Sequence, residues 1–439
     1  MKKISILVFV LLIGLTNLAQ NKKWTLEEAV AYALENNISI KQSELDLKLT
    51  EIQKDDAIGS FLPNLNGNSS LTSNTGANIN PVTNTFTNST FTSLSMGFQT
   101  NVTLFNGLRN LRELQRAKLA QVAGQYNLGK IKDDIALFVA NAYLQVLFNK
   151  ENLKNIQAQN QITLEQLNRT NELVDAGVVP RGDLLEIKST SASEEQRIIV
   201  AENQIKIALI SLAQTLLIKD YENFEIVDVD YEIPISSISE QSVYDIIAKA
   251  KQVRFETKIA DQNLILAKKD LQIARGAYYP TINGFAGYNT RWADNDFFGR
   301  NFTTQLYEND GTFYGLQLNV PVFNGLAVRN NVRRSKINIE RAALQKDQAE
   351  LDVEANVFQA YTDVKGALKA YEAALVAVEA QKQAYEYSQS RFDVGFLNAF
   401  DFSQSKLRLE NAQSEVIRTK YDYIFKLKVL ELYFGIKLY

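Results

Sequence analysis

Val102-Thr-Leu-Phe-Asn-Gly107 and Val320-Pro-Val-Phe-Asn-Gly325 are one phrase written twice, 218 positions apart (320 − 102 = 218). Each closes a stretch in which apolar and polar residues alternate. Leu94, Met96, Phe98, Val102 and Leu104 alternate with Ser95, Gly97, Gln99, Asn101 and Thr103. Tyr314, Leu316, Leu318, Val320 and Val322 alternate with Gly315, Gln317, Asn319 and Pro321. Ile282, Gly284, Ala286, Tyr288 and Thr290 give a weaker version, and the stretch from Leu65 to Ser73 is weaker still. A period of two over about ten residues is the pattern of a transmembrane β-strand. No charged residue occurs between Asp56 and Arg109, which suits a lipid environment better than a soluble surface. Phe61, Phe105, Tyr278, Tyr279 and Phe323 stand at the strand ends, where an aromatic girdle would lie. A soluble two-hairpin sheet packed on helices also fits the alternation, but leaves the charge-free run and the aromatic ends unexplained. The segments 74–90 and 292–311, rich in Asn, Thr and Asp, read as outer loops.

The duplication runs through the whole chain. Ala176-Gly177 through Asp183 to Lys188 matches Val394-Gly395 through Asp401 to Lys406 at the same shift of 218 (395 − 177). Upstream, Phe61-Leu-Pro63 matches Tyr278-Tyr-Pro280 at a shift of 217 (280 − 63), so one residue is inserted between. The organisation that follows is a first repeat over 21–218, a linker over 219–241 and a second repeat over 242–439. Each repeat opens with a helix, Thr25–Ile58 or Ser242–Arg275, and Thr25 with Glu28 forms a capping-box pattern. A β-hairpin follows, over 61–107 and 278–325. Next comes a long helical hairpin whose tip lies at 175–183 in the first repeat and 393–401 in the second. The six prolines all fall outside the expected helices, as the missing N–H requires. The run from Leu108 to Val174 gives a helix of about 100 Å, a length that belongs to coiled coils. In the linker, alternation from Glu225 to Ile233 predicts one short strand with an acidic face; a calcium loop would need a glycine that is absent.

Composition narrows the function. The chain has 439 residues, no His, no Cys and a net charge of −3. Disulfides, thiolate or imidazole metal sites, Ser-His-Asp triads and cysteine nucleophiles are excluded, and so is a lipid anchor on an N-terminal cysteine. Near-neutral charge gives no reason to expect nucleic acid. There is no nucleotide-binding glycine motif and no GxSxG. Asp183 and Glu186 lie one helical turn apart, a spacing common on any solvated helix rather than a glycosidase signature. We expect no enzyme activity and no cofactor. Lys2-Lys3 followed by an apolar run from Ile4 to Leu15 reads as a secretory signal peptide over 1–20, too short to span a bilayer. Four strands cannot close a barrel in lipid, so copies must pool their strands; two, three or four copies would give eight, twelve or sixteen.

Signal peptide, tandem repeat, separated hairpins and four long helical runs together resemble the TolC-like outer-membrane efflux proteins. Val102–Gly107, Val320–Gly325, and the breaks Ala176–Leu185 and Asp393–Asp401 carry the resemblance most specifically. It implies a mixed α/β membrane protein: a trimeric twelve-stranded β-barrel, four strands per chain, continuous with a long α-helical coiled-coil barrel reaching into the periplasm. It also implies a passive exit duct in the bacterial outer membrane, not lipidated, serving a tripartite efflux or type I secretion system. The implied partners are two further copies, a periplasmic adaptor (membrane fusion) protein, an inner-membrane pump of RND or ABC type, and lipid. Phe105, Asn106, Gly107, Phe323, Asn324 and Gly325 would form the barrel-to-helix junctions. Gly177, Val178, Val179, Gly395, Phe396 and Leu397 would be the adaptor-docking tips, although packing of tip on tip explains their apolar character equally well. In the family, acids at the positions of Asp401 and Gln404 ring the constriction; here the second is an amide, and Asp183 and Glu186 are the first repeat's counterparts. Asp401 capping the returning helix is the plainer reading of the same residue. Leu397 stands where well-studied members carry an arginine lock. A trimeric autotransporter-like adhesin is the alternative, but its strands would be contiguous; a soluble exported coiled-coil protein is another.

Overall fold

The computed structural model describes residues 22–80, 85–228, 238, 241–296 and 298–437. The signal-peptide run and the linker residues 229–233 lie outside the described residues. In chain order the elements are β1 (Lys23–Trp24), α1 (Leu26–Asn36), α2 (Ile38–Gly59), β2 (Asn64–Asn80), β3 (Thr85–Phe105), α3 (Arg109–Asp175) and α4 (Arg181–Thr215). Then come β4 (Glu225–Ile226), α5 (Val243–Val253), α6 (Phe255–Gly276), β5 (Thr281–Ala293), α7 (Phe302–Glu308), β6 (Gly311–Asn319), α8 (Ala327–Asp393) and α9 (Ala399–Phe434). The repeat is reproduced residue for residue: α1 and α2 map onto α5 and α6 at 217, and α3 maps onto α8 at 218.

The helices expected to be continuous from Thr25 and Ser242 are each broken once. Asn37 (φ −59°, ψ 136°) separates α1 from α2, and Arg254 (φ −67°, ψ 140°) separates α5 from α6, again 217 apart. Asn37 turns its side-chain oxygen to the Ser39 N–H at 2.9 Å, starting α2 as a new helix. Arg254 is buried at its break and held by Asp133 at 3.1 Å and Glu256 at 3.2 Å.

Two compact units divide the chain. The first comprises residues 1–44, 126–258 and 348–439. Its core forms where α1 lays Leu26, Ala29, Val30 and Ala33, one face of a 3.6-residue period, against Val139 and Tyr143 of α3, Leu212 of α4 and Ile424 of α9. The second repeat copies the arrangement, with Ile246, Ile247 and Ala250 of α5 on Val353 and Val357 of α8 and Leu427 of α9. Full burial of each Leu, Ile or Val among these contributes about 1.5–3 kcal/mol. The Thr25–Glu28 capping box is formed. Among the described residues the linker contributes β4, two residues long, pairing parallel with β1.

The second unit comprises residues 45–125 and 259–347. Its sheet runs β2-β3-β5-β6, all antiparallel, and it is open: among the described residues no further strand lies beyond β2 or β6. Register puts Leu65, Leu71, Leu94, Met96, Phe98, Ala286, Tyr288, Leu316 and Leu318 on one face, much of it exposed. Ser95, Gln99, Asn101, Asn283 and Gln317 share the other face. Phe285 and Phe313 also stand on that polar face, 6.2 Å apart, each lying over a glycine of the neighbouring strand, Gly315 and Gly287. Alternation assigns the face correctly but not these two rings. The outer segment 292–311 contains the helix α7, where buried Gln305 bonds both the N–H and the carbonyl of Ala293. No helix among the described residues is long and apolar enough to cross a membrane.

Candidate functional site

Both helical hairpins reverse through a left-handed glycine. Gly177 (φ 73°) and Gly395 (φ 78°) follow α3 and α8. At each, the next N–H reaches back to the helix: Val178 to the Leu173 carbonyl and Phe396 to the Arg391 carbonyl, both at 2.8 Å. This is the Schellman closure, which a side chain at the glycine would strain. The returning helices start differently. Pro180 precedes α4 without a side-chain cap. Asn398 caps α9, accepting from the Asp401 N–H at 2.8 Å and donating to the Asp401 carboxylate at 3.0 Å.

The two tips of one chain lie side by side. Between them is a cleft of about 320 Å³ lined by Val178, Val179, Asp183, Gly395, Phe396 and Leu397, among others. Arg169 of α3 and Asp393 of α8 span it as an ion pair at 2.8 Å. Leu397 is partly buried against Tyr385, Phe402 and Leu409, and Phe392 stacks on Phe402 at 4.7 Å. Val178 and Phe396 remain 66% and 76% exposed. The tip residues therefore divide: Leu397 packs inside the second hairpin, while Val178 and Phe396 line the cleft and stay largely exposed. Asp183 lines the cleft; Asp401, Gln404 and Glu186 do not. Asp401 and Gln404 are exposed, and Asp401 is engaged as the cap partner of Asn398.

Just inside the tips lies a charged cluster that no sequence pattern announces. Lys406 of α9 is 2% exposed and Glu194 of α4 is 1% exposed. The Lys406 ammonium donates to Glu194 at 2.9 Å, to the Gln159 carbonyl and to the Thr163 hydroxyl of α3. Beside it Arg197 pairs with buried Glu410 at 2.7 Å. Burial pushes the Lys406 ammonium below its ordinary value against the pull of Glu194. Burial likewise raises the Glu410 carboxyl against Arg197. Thr190 and Ser403 add a hydroxyl contact at 3.5 Å. These links tie α4 to α9.

At the other end of the long helices, Gly107 (φ 70°) and Leu108 (φ 64°) join β3 to α3, and Gly325 (φ 62°) and Leu326 (φ 67°) join β6 to α8. The first junction is packed: Asn106 is buried and bonds Asn110, and a Cβ on Gly107 would collide with the Gly276 carbonyl and with Tyr279. Phe105 lines a hollow with Arg275 and Tyr279. The second junction is open, with Phe323 82% exposed and nothing within 4 Å of a Cβ on Gly325.

Residues 29–216 and 246–435 match the family described as outer membrane efflux protein. Outer membrane protein TolC of Vibrio cholerae serotype O1 is 24% identical over 323 residues, which is 72% of this chain and 70% of that protein. In fold, the chain is similar to the crystal structure of a membrane protein from Pseudomonas aeruginosa, with a TM-score of 0.79, 16% identity, and 93% and 90% of the two chains covered. It is also similar to the outer membrane protein VceC from Vibrio cholerae, with a TM-score of 0.78, 16% identity, and 94% and 97% covered.

Proposed function

Because the chain belongs to the outer membrane efflux protein family, we propose that it is a passive exit duct, built by three copies that pool their strands into one barrel. The observation that carries this reading is the open sheet. One face is apolar and exposed, the other is largely amide and hydroxyl, and among the described residues no further strand covers either edge. An open edge cannot sit in hydrocarbon, because each unpaired backbone group there costs several kcal/mol. Closure with further copies turns the apolar face to lipid and the polar face to water. The long helical hairpins carry that lumen onward into the periplasm after export through the signal peptide. An adaptor meets the exposed Val178 and Phe396 at the tips, and an inner-membrane pump supplies the energy.

Asp401 and Gln404 are exposed at the start of α9, which supports reading them as lining of the lumen at its periplasmic end. Three copies of Asp401 brought together there would attract cations. Purified protein in a planar bilayer should conduct, and Asp401→Ala should weaken cation selectivity and block by divalent ions. Unchanged selectivity and block would leave Asp401 with its capping role alone and place the constriction elsewhere. Substituting Gly395 and Phe396 with bulky polar residues should abolish efflux in cells while the oligomer persists; intact efflux would remove the tips from adaptor docking.

A further inference from the structure

Where the sheet ends and the long helices begin, the joint between β3 and α3 meets the joint between α6 and β5. A hollow of about 340 Å³ opens there. Phe105, Leu108 and Tyr279 give it an apolar and aromatic wall, Arg112 of α3 and Arg275 of α6 give it charge, and no carboxylate lines it. Register decides which face of the sheet the hollow continues. The ladder between β3 and β5 shifts between Thr103 and Phe105, so that Phe105 stands opposite Ile282, which in turn stands opposite Leu318. Strict alternation would leave Phe105 on the polar face with Thr103; the irregularity turns it to the apolar one.

The positive charge at this place is not neutralised from within the chain. Among the described residues the Arg275 guanidinium has no carboxylate partner. Arg112 donates to the Gln115 amide oxygen at 3.2 Å, and Lys269 donates to the same oxygen at 2.9 Å, so one neutral group serves two cations. Asp270 is already taken by Arg116. The duplication shows that the joint does not need these charges in order to fold. Its frame of Phe105, Gly107, Leu108 and Gly276 returns in the second repeat as Phe323, Gly325, Leu326 and Gly59. Arg112 instead corresponds to Asn330 (112 + 218), Arg275 to Ile58 (275 − 217) and Tyr279 to Leu62 (279 − 217). The turn is common to both junctions, and the pair of guanidiniums belongs to one.

We propose that this hollow binds the headgroup phosphate of an anionic phospholipid in the periplasmic leaflet, with the acyl chains rising along the apolar face beside Phe105. The inference rests on the duct reading, which turns that face to lipid, and adds a lipid site to it. Three observations carry it. A guanidinium presents paired N–H groups that match two phosphate oxygens, and here two guanidiniums share one hollow. The aromatic residues at the strand ends mark the level of the headgroups. Two positive charges without a carboxylate favour a lipid of net negative charge over a zwitterionic one. A soluble phosphate would engage the arginines but leave Phe105, Leu108 and Tyr279 facing water.

Native mass spectrometry of the full-length oligomer, incubated in detergent with defined lipids, reads the site. Phosphatidylglycerol should be retained, and phosphatidylcholine, whose ammonium cancels the phosphate charge, should be retained about tenfold less. Arg112→Gln/Arg275→Gln should lower phosphatidylglycerol retention about tenfold with the oligomer intact. Arg275→Gln alone removes a guanidinium that holds no carboxylate in the chain, and should lower retention about threefold. Arg333→Gln/Arg334→Gln, which takes two exposed guanidiniums from α8, should retain as much as wild type. Equal retention by wild type and the Arg112 and Arg275 variants, or an equal loss from the α8 control, overturns the site and leaves the duct standing. Equal retention of the two lipids overturns the preference for an anionic headgroup. Glycerol phosphate, the headgroup chemistry without acyl chains, should not displace the lipid; displacement at equal concentration would make this a site for a soluble phosphate ester. A monomer in the same spectra would sink the duct reading itself.

Discussion

Arg254 is a single guanidinium serving two carboxylates whose titrations run in opposite directions. Burial pushes the Asp133 carboxyl up, and the Arg254 charge only partly offsets it. Burial also acts on Glu256, but hydrogen bonds and charge from Arg254 hold its carboxyl below the usual 4.5. Glu256 binds fewer protons in the folded protein than in the unfolded chain, so its stabilisation is present above pH 4.5 and is lost as pH falls through its folded value. Asp133 binds more, so its contribution declines as pH rises above 3.8. Glu256→Gln should therefore lower stability by about 1 kcal/mol at pH 7, with the difference vanishing in acid, while Asp133→Asn should show the opposite slope. Thermal melts in detergent across pH 3–7 measure both, and parallel slopes would refute the assignment. Lys406 offers a sharper test because its surroundings are dry. Lys406→Ala strands Glu194 and should cost about 3–5 kcal/mol. The double change Lys406→Met/Glu194→Leu should recover most of that in the same melts, since an apolar pair of similar volume removes both desolvation penalties.

At the level of elements, the helix-starting chemistry at the second tip can be tested alone. Asn398→Ala removes the side-chain acceptor for the Asp401 N–H and should destabilise the start of α9 by about 1 kcal/mol. Amide hydrogen exchange should quicken at residues 399–402, and exchange unchanged from wild type would mean that tip packing, not the cap, holds the turn. The tips were legible in sequence because a glycine between two long periodic runs has few other uses, and the strands because a two-residue period beside a charge-free run is hard to mistake. The breaks at Asn37 and Arg254 were not. Helical periodicity continues across both; Asn37 starts a new helix through its bond to the Ser39 N–H, and Arg254 is buried between Asp133 and Glu256. Phe285 and Phe313 escaped the alternation because glycines across the strand make room for a ring on the polar face. Lys406, Glu194, Arg197 and Glu410 were invisible for a different reason. They are drawn from two helices about 200 positions apart (406 − 194 = 212), and each alone reads as a solvated charge on an amphipathic helix.

For the assembled molecule, the duplication predicts not only which joints are alike but where they differ. Inside one chain α4 meets α9 through Thr190–Ser403, Glu194–Lys406 and Arg197–Glu410. Carrying each residue across by 218 gives the joint between α9 of one copy and α4 of the next: Arg408 with Leu185, Ala412 with Lys188, and Glu415 with Ala192. None of the three links survives the mapping. Replacing a residue of a buried, paired cluster by alanine or leucine removes the partner that offsets desolvation, so a between-copy joint of this geometry would have no counterpart of the clasp seen within the chain. In the duct proposed above, two joints of one geometry and unequal strength would open at the weaker, with each chain's pair of hairpins moving as a body. Disulfides in the cysteine-free chain separate the two. Leu185→Cys/Arg408→Cys should lock neighbouring copies together, lowering bilayer conductance until a reductant restores it. Thr190→Cys/Ser403→Cys ties helices that are already clasped and should leave conductance close to wild type. A loss of conductance from the within-chain disulfide, with none from the between-copy one, would mean that opening takes place inside each chain and that the polar clasp is a latch which must release.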